Sequence, residues 1–139
     1  MGDWREYIDW LCYRAVDEWN YGNKTLSHQL VEEAIAMWDG YGFYDRPCYL
    51  GAFYNNYKLG LVLYTCHYVS FNLGPLEKEV EARMRSYQDT ELGGIITLTD
   101  FNGVPVGSCN SEATASSLLP YTLKLKSNFW HQLLTFLTS

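Results

Sequence analysis

The groups in this sequence whose types and spacing could do chemistry are acids set among glycines and tyrosines. Cleaving a glycosidic bond takes two carboxyl groups, one to protonate the leaving oxygen and one to attack or to activate water. The run Asp39-Gly-Tyr-Gly-Phe-Tyr-Asp45 carries two acids beside Tyr41, Phe43 and Tyr44. Apolar neighbours raise a carboxyl pKa toward that of a general acid, which makes Asp45 the first candidate. The same residue could instead cap a helix or pair with Arg46. Glu112 is the second candidate, because the exposed N–H groups of a helix start hold a carboxylate ionised, as a nucleophile or base requires. Asp39 is the third, and Asp100 is expected to serve the Asp-Phe-Asn-Gly turn that it opens.

Around these acids, Trp38, Tyr41, Tyr44, Tyr54 and Tyr57 offer flat amphipathic walls suited to sugar rings. Lys58 lies on an apolar helix and must find a partner or line a polar cavity; Asp45, Asp39 and Glu112 are its expected partners. His67 reads as a structural core histidine, and His28 and His131 have no acid or Cys neighbours that mark a metal site. G-x-S-x-G, H-E-x-x-H, P-loop and dinucleotide fingerprints are absent from the sequence. No metal and no cofactor are expected.

The elements that must position these groups follow from periodicity. Trp4, Ile8, Leu11, Cys12, Ala15 and Trp19 recur at three- and four-residue steps and predict a helix over 3–19. A second helix runs from Thr25 or Ser27, as N-cap, to Trp38. A third, over 51–71, is apolar nearly all round and must be buried. A fourth starts at Pro75 with a stripe of Leu76, Val80, Met84 and Tyr87. Residues 94–106 then read as a short β-hairpin turned at Asn102-Gly103. A fifth helix opens near Asn110 and is expected to break at Pro120, with a further helix over 124–137.

Composition sets the outer limits. With 139 residues, one domain (1–139) is the natural count; 47% of residues are hydrophobic and 19% charged, as in a globular chain. A net charge of −6 argues against nucleic acid or an anionic membrane as partner, and the longest apolar stretch, around 59–69, is too short to span a bilayer. The N-terminus has early acids and no apolar run of signal-peptide type, so the chain as written reads as cytoplasmic. Four widely spaced cysteines without a C-x-x-C pair read as buried free thiols.

Two segments parallel each other: Trp38-Asp39 followed by Gly40 and Gly42, and Gln88-Asp89 followed by Gly93 and Gly94. The offset of about fifty residues marks a helical-hairpin repeat. The fold class expected is therefore all-α: antiparallel helical hairpins forming part of an α/α toroid, with one short β-hairpin. Gly42-Phe-Tyr-Asp45, Tyr54 to Tyr64, Gln88 to Ile95, Asp100 to Gly103 and Asn110-Ser-Glu-Ala-Thr114 resemble the helical-toroid domains of archaeal secreted proteins, similar in style to six-hairpin glycosidases. Ala113 departs from the family's Thr at that turn, and only about three hairpins fit. The resemblance implies a small hydrolase acting on β-linked galactoside- or glucoside-type carbohydrates by carboxylate acid/base catalysis, and leaves a secreted origin open. The alternative is a non-catalytic carbohydrate- or protein-binding module. From Ala113 to Ser139 no acid occurs, and Phe129, Trp130, Leu133 and Leu137 make 120–139 a candidate segment for a homo-oligomer.

Overall fold

The computed structural model describes residues 2–138, with side chains described outside 124–131, 133 and 138. Among the described residues the chain is mostly helical, with a small three-stranded antiparallel sheet. A 3-10 turn (Trp4–Glu6) leads into α1 (Ile8–Asn20), and α2 (Lys24–Ile35) returns against it. A short α3 (Arg46–Gly51) and β1 (Tyr54–Asn55) precede α4 (Tyr57–Tyr68) and α5 (Pro75–Ser86). Strands β2 (Ile96–Thr99) and β3 (Pro105–Cys109) then lead to α6 (Ser111–Thr138).

Helix α4 is the hub, as its all-round apolarity requires: it packs against α1, α2, α5 and α6. Leu59, Leu63 and Cys66 of α4 are fully buried, and Ile8, Leu11 and Ala15 of α1, Leu30 and Ala34 of α2, and Val80 and Met84 of α5 join them in one core. Trp4 does not: it stands on the 3-10 turn with 41% exposure, off the stripe that periodicity assigned it.

The sheet differs from a lone hairpin. Tyr54 pairs with Thr99 and Asn55 with Leu98, so β1 adds a third strand in the order β1-β2-β3. This splits the helix expected over 51–71. Ala52 takes a left-handed φ of 62° and ends α3, and α4 starts only at Tyr57. Asn56 ties the start of α4 to β2, donating from Nδ2 to the Ile96 carbonyl (2.7 Å) and accepting from Thr99 Oγ1 (2.9 Å).

Pro120 does not end a helix; α6 runs through it to Thr138. Proline removes the hydrogen bond to the carbonyl four residues back, that of Ser116. There α4 comes closest, since a Cβ on Gly60 would fall on the Ser116 carbonyl. The close packing of α4 on α6 offsets the lost bond. Phe129, Trp130, His131 and Leu133 lie outside the described side chains; Leu134, Phe136 and Leu137 are exposed.

The repeated loops have the same construction. The Asp39 N–H donates to the Gly42 carbonyl (3.1 Å), and Asp39 Oδ1 accepts from the N–H groups of Tyr41 (3.0 Å) and Gly42 (3.2 Å). Fifty residues on, the Asp89 N–H donates to the Gly94 carbonyl (2.7 Å), and Asp89 Oδ1 accepts from the N–H groups of Glu91 (2.9 Å) and Leu92 (2.8 Å). Asp100 closes the β2–β3 turn in the same manner, accepting from Asn102 and Val104. A short aspartate side chain that bonds its own downstream N–H groups replaces a backbone turn.

Candidate functional site

Asp45 is the most constrained acid of the three sequence candidates. Its Oδ1 accepts from the Cys48 N–H (3.2 Å) and caps α3; its Oδ2 accepts from the Ile8 N–H (3.2 Å) and from Lys58 Nζ (2.6 Å). The pair is sealed, with 0% of the Asp45 side chain and 3% of that of Lys58 exposed. Two helix starts and the hub helix are thereby locked by one carboxylate. Lys58 takes Asp45 from among its three expected partners, while Arg46 bridges to Glu6 at 2.9 Å. Asp45 lies in the floor of a hollow of about 400 Å³ with Tyr44 and Tyr49, but its carboxylate faces the interior.

Asp39 spends both oxygens on structure, Oδ1 on its own loop and Oδ2 on the hydroxyl of Tyr54. Burial, then this bond, push the Tyr54 phenol well above its ordinary value. The neighbouring aromatics brace the two Gly loops. Trp38 donates to Glu79 (2.9 Å) and packs on Phe43; the Tyr41 carbonyl accepts from the Tyr87 hydroxyl (2.6 Å), and Arg83 lies over the Tyr41 ring. Tyr44 and Tyr54 both meet Phe101, with ring centroids 5.8 and 5.4 Å apart. Of this group Tyr44 and Phe101 are the ones substantially open to solvent, at 42% and 43%.

Glu112 stands apart from these loops. It is exposed in the first turn of α6, and its charge reaches Tyr13 of α1. Asp9, in the first turn of α1, accepts from the Tyr57 hydroxyl at 2.7 Å, at the first turn of α4. Burial, followed by this bond, drives the Tyr57 phenol far up, and burial followed by the charges of Asp9, Cys12 and Glu112 raises that of Tyr13. The Tyr57–Asp9 bond thus joins the first turns of α1 and α4, α6 packs on α4 as well, and Tyr13 feels the charge of Glu112. Oδ1 of Asp9 is buried and accepts from no donor among the described residues.

Helix α1 presents a hollow of about 470 Å³ lined by Trp4, Trp10, Tyr13, Arg14 and Asp17. Trp10 and Tyr13 are 59% and 54% exposed and meet edge to face, at 6.5 Å and 83°. Sequence reasoning passed over Asp9, Trp10, Tyr13 and Asp17. The signal was present: Asp9, Tyr13 and Asp17 recur at i, i+4 and i+8, opposite the buried Ile8, Leu11, Cys12 and Ala15.

All four cysteines are free, and Cys12, Cys48 and Cys66 are buried. Among the described residues, no three potential metal ligands cluster and no helix is long and apolar enough to cross a membrane. Hollow, Asp9–Tyr57 bond and sealed Asp45–Lys58 pair are features of this chain taken by itself: no family model matches the sequence, and neither a curated protein nor a solved structure matches it.

Proposed function

We propose that this protein binds a carbohydrate on the exposed face of α1, in the hollow of Trp4, Trp10 and Tyr13. The observation that carries the reading is two large rings held more than half exposed, edge to face, beside Asp17, an acid with no partner among the described residues. An apolar ring costs free energy in water, and sugars present alternating C–H faces and hydroxyls that match rings bordered by carboxylates. The arrangement behind it, with α1, α4 and α6 side by side and α2 and α5 outside, is an arc of an α/α toroid in this reading. Three buried free thiols suit a reducing compartment such as the cytoplasm.

Binding is favoured over hydrolysis because two of the three acids expected to be catalytic are committed: Asp45 is saturated and sealed, and Asp39 holds its loop and Tyr54. One observation favours hydrolysis of β-linked glycosides as a second reading. Asp9 and Glu112 are two carboxylates whose charges both act on Tyr13, of which one is exposed and the other keeps an unpartnered oxygen among the described residues.

Titration of the tryptophan fluorescence with a panel of neutral, amino and acidic oligosaccharides tests the binding reading, with aryl glycosides run for turnover. Trp10→Ala should weaken the responding sugar at least about tenfold, the worth of an aromatic anchor. A panel without any response overturns the carbohydrate reading. Turnover that disappears in Glu112→Gln replaces binding with hydrolysis.

A further inference from the structure

We infer that the α1 hollow selects a positively charged ring, an amino sugar carrying a free ammonium group; this rests on the carbohydrate reading above. The lining of the hollow holds one cation and one acid, Arg14 and Asp17, and of the two Arg14 is engaged, in an ion pair with Glu18. Asp17 lines it and has no partner among the described residues, Asp9 stands two turns back along the same face with Oδ1 unpartnered, and Glu112 lies within the field of Tyr13. The nearby cations are spoken for. Arg14 bridges to Glu18 at 2.7 Å, Arg5 bridges to Glu33 at 2.8 Å, and Lys58 is sealed against Asp45.

The rings add to this field. The face of an indole or phenol is electron-rich and attracts a cation placed over it. Trp4 already holds one, the Arg5 guanidinium, 5.1 Å above its ring. Trp10 and Tyr13 carry none among the described residues, though they form the open walls of the same hollow. A ligand with an ammonium group on a sugar ring would stack on Trp10 or Tyr13 and bring its charge to Asp17. An acidic sugar would meet the Asp17 carboxylate instead, and a neutral sugar would gain the stacking alone.

The test is fluorescence titration of the intact protein with three matched oligomers: glucosamine, N-acetylglucosamine and glucose, at pH 6 and two salt concentrations. The glucosamine oligomer should bind at least tenfold more tightly than the other two, with the advantage shrinking as salt screens the charges. Asp17→Asn, at an exposed position with no structural bond, should remove most of that advantage while leaving the circular dichroism spectrum unchanged. Equal affinity for all three oligomers overturns the charge selection and leaves the carbohydrate reading standing. Binding of none overturns both, and selectivity that survives in Asp17→Asn removes the assignment to this hollow.

Discussion

At the residue scale, one carboxylate does the work of several contacts. Asp45→Asn strips the charge partner from the buried Lys58 and weakens the bonds to the N–H groups of Cys48 and Ile8. Leaving a buried charge unpaired costs about 3–5 kcal/mol, a large part of the ~5–15 kcal/mol that holds a domain folded. Denaturant unfolding should show a fall of that size, and Lys58→Met should show a comparable one. The double variant should be less destabilised than the sum of the two, because each single change strands the other partner. A wild-type-like midpoint for Asp45→Asn would mean that the residue is not a structural lock. Titration supplies a second prediction. Burial first of all raises the Cys12 thiol from 9.0 to about 12. A raised pKa contributes stability that is complete below the unfolded value and is lost as pH climbs through the folded one. The protein should therefore lose stability between pH 9 and 12, and Cys12→Ala should flatten that part of the curve in thermal melts. The raised phenols of Tyr54 and Tyr57 act with the same sign from their ordinary value of 10.0 upward, so some slope remains in the variant.

At the scale of elements, Gly60 decides how closely α4 and α6 approach. Gly60→Ala places a methyl on the Ser116 carbonyl and should cost about 1–3 kcal/mol through forced separation of the helices. A neutral or stabilising result in thermal unfolding would place the contact elsewhere. This contact also explains what could and could not be read from the sequence. Periodicity gave α1, α2 and α5 to within a few residues, and the all-round apolarity of α4 announced a buried hub. The paired Asp-Gly loops were legible because their signal is local: an aspartate, a glycine and the next few N–H groups suffice. By contrast, β1 is two residues long and exists through pairing with Thr99 and Leu98, over forty residues later. Nothing in Ala52 announces a left-handed turn, so the run over 51–71 looked continuous. Pro120 misled for a related reason, since it breaks a lone helix while tertiary packing against Gly60 carries this one through. The site was half legible. Asp45 and Lys58 are near each other as expected, but the open face belongs to α1, whose exposed Trp10 and Tyr13 fall outside the apolar stripe, and beside them stands Trp4, which periodicity assigned to that stripe.

At the scale of the whole molecule, the two flanking helices of the arrangement carry unlike surfaces. On α1 the exposed rings Trp10 and Tyr13 lie among acids, whereas exposed apolar side chains on α6 include Leu118, Leu134, Phe136 and Leu137, on a segment without an acid from Ala113 onward. Apolar patches of that kind on a single chain favour association, since contact removes them from water at about 25 cal/mol per Å². Two unlike surfaces on one chain favour a head-to-tail contact over a two-fold one, and a head-to-tail contact closes into a ring where its rotation permits. Sedimentation velocity over a hundredfold range of concentration should therefore reveal a species larger than the 16.1 kDa chain. Leu134→Glu with Leu137→Glu puts two charges into the apolar surface and should return the chain to a monomer with its helicity intact. If wild type sediments as a monomer at every concentration, copies of this chain do not cover the α6 surface. The aromatic face of α1 would then have no competing copy, and sugar affinity would not change with protein concentration. If the chain does associate through α1, the double variant should bind sugar more tightly than wild type, because the hollow is no longer occluded. Measuring both quantities on one pair of proteins separates a surface built for assembly from one built for a ligand.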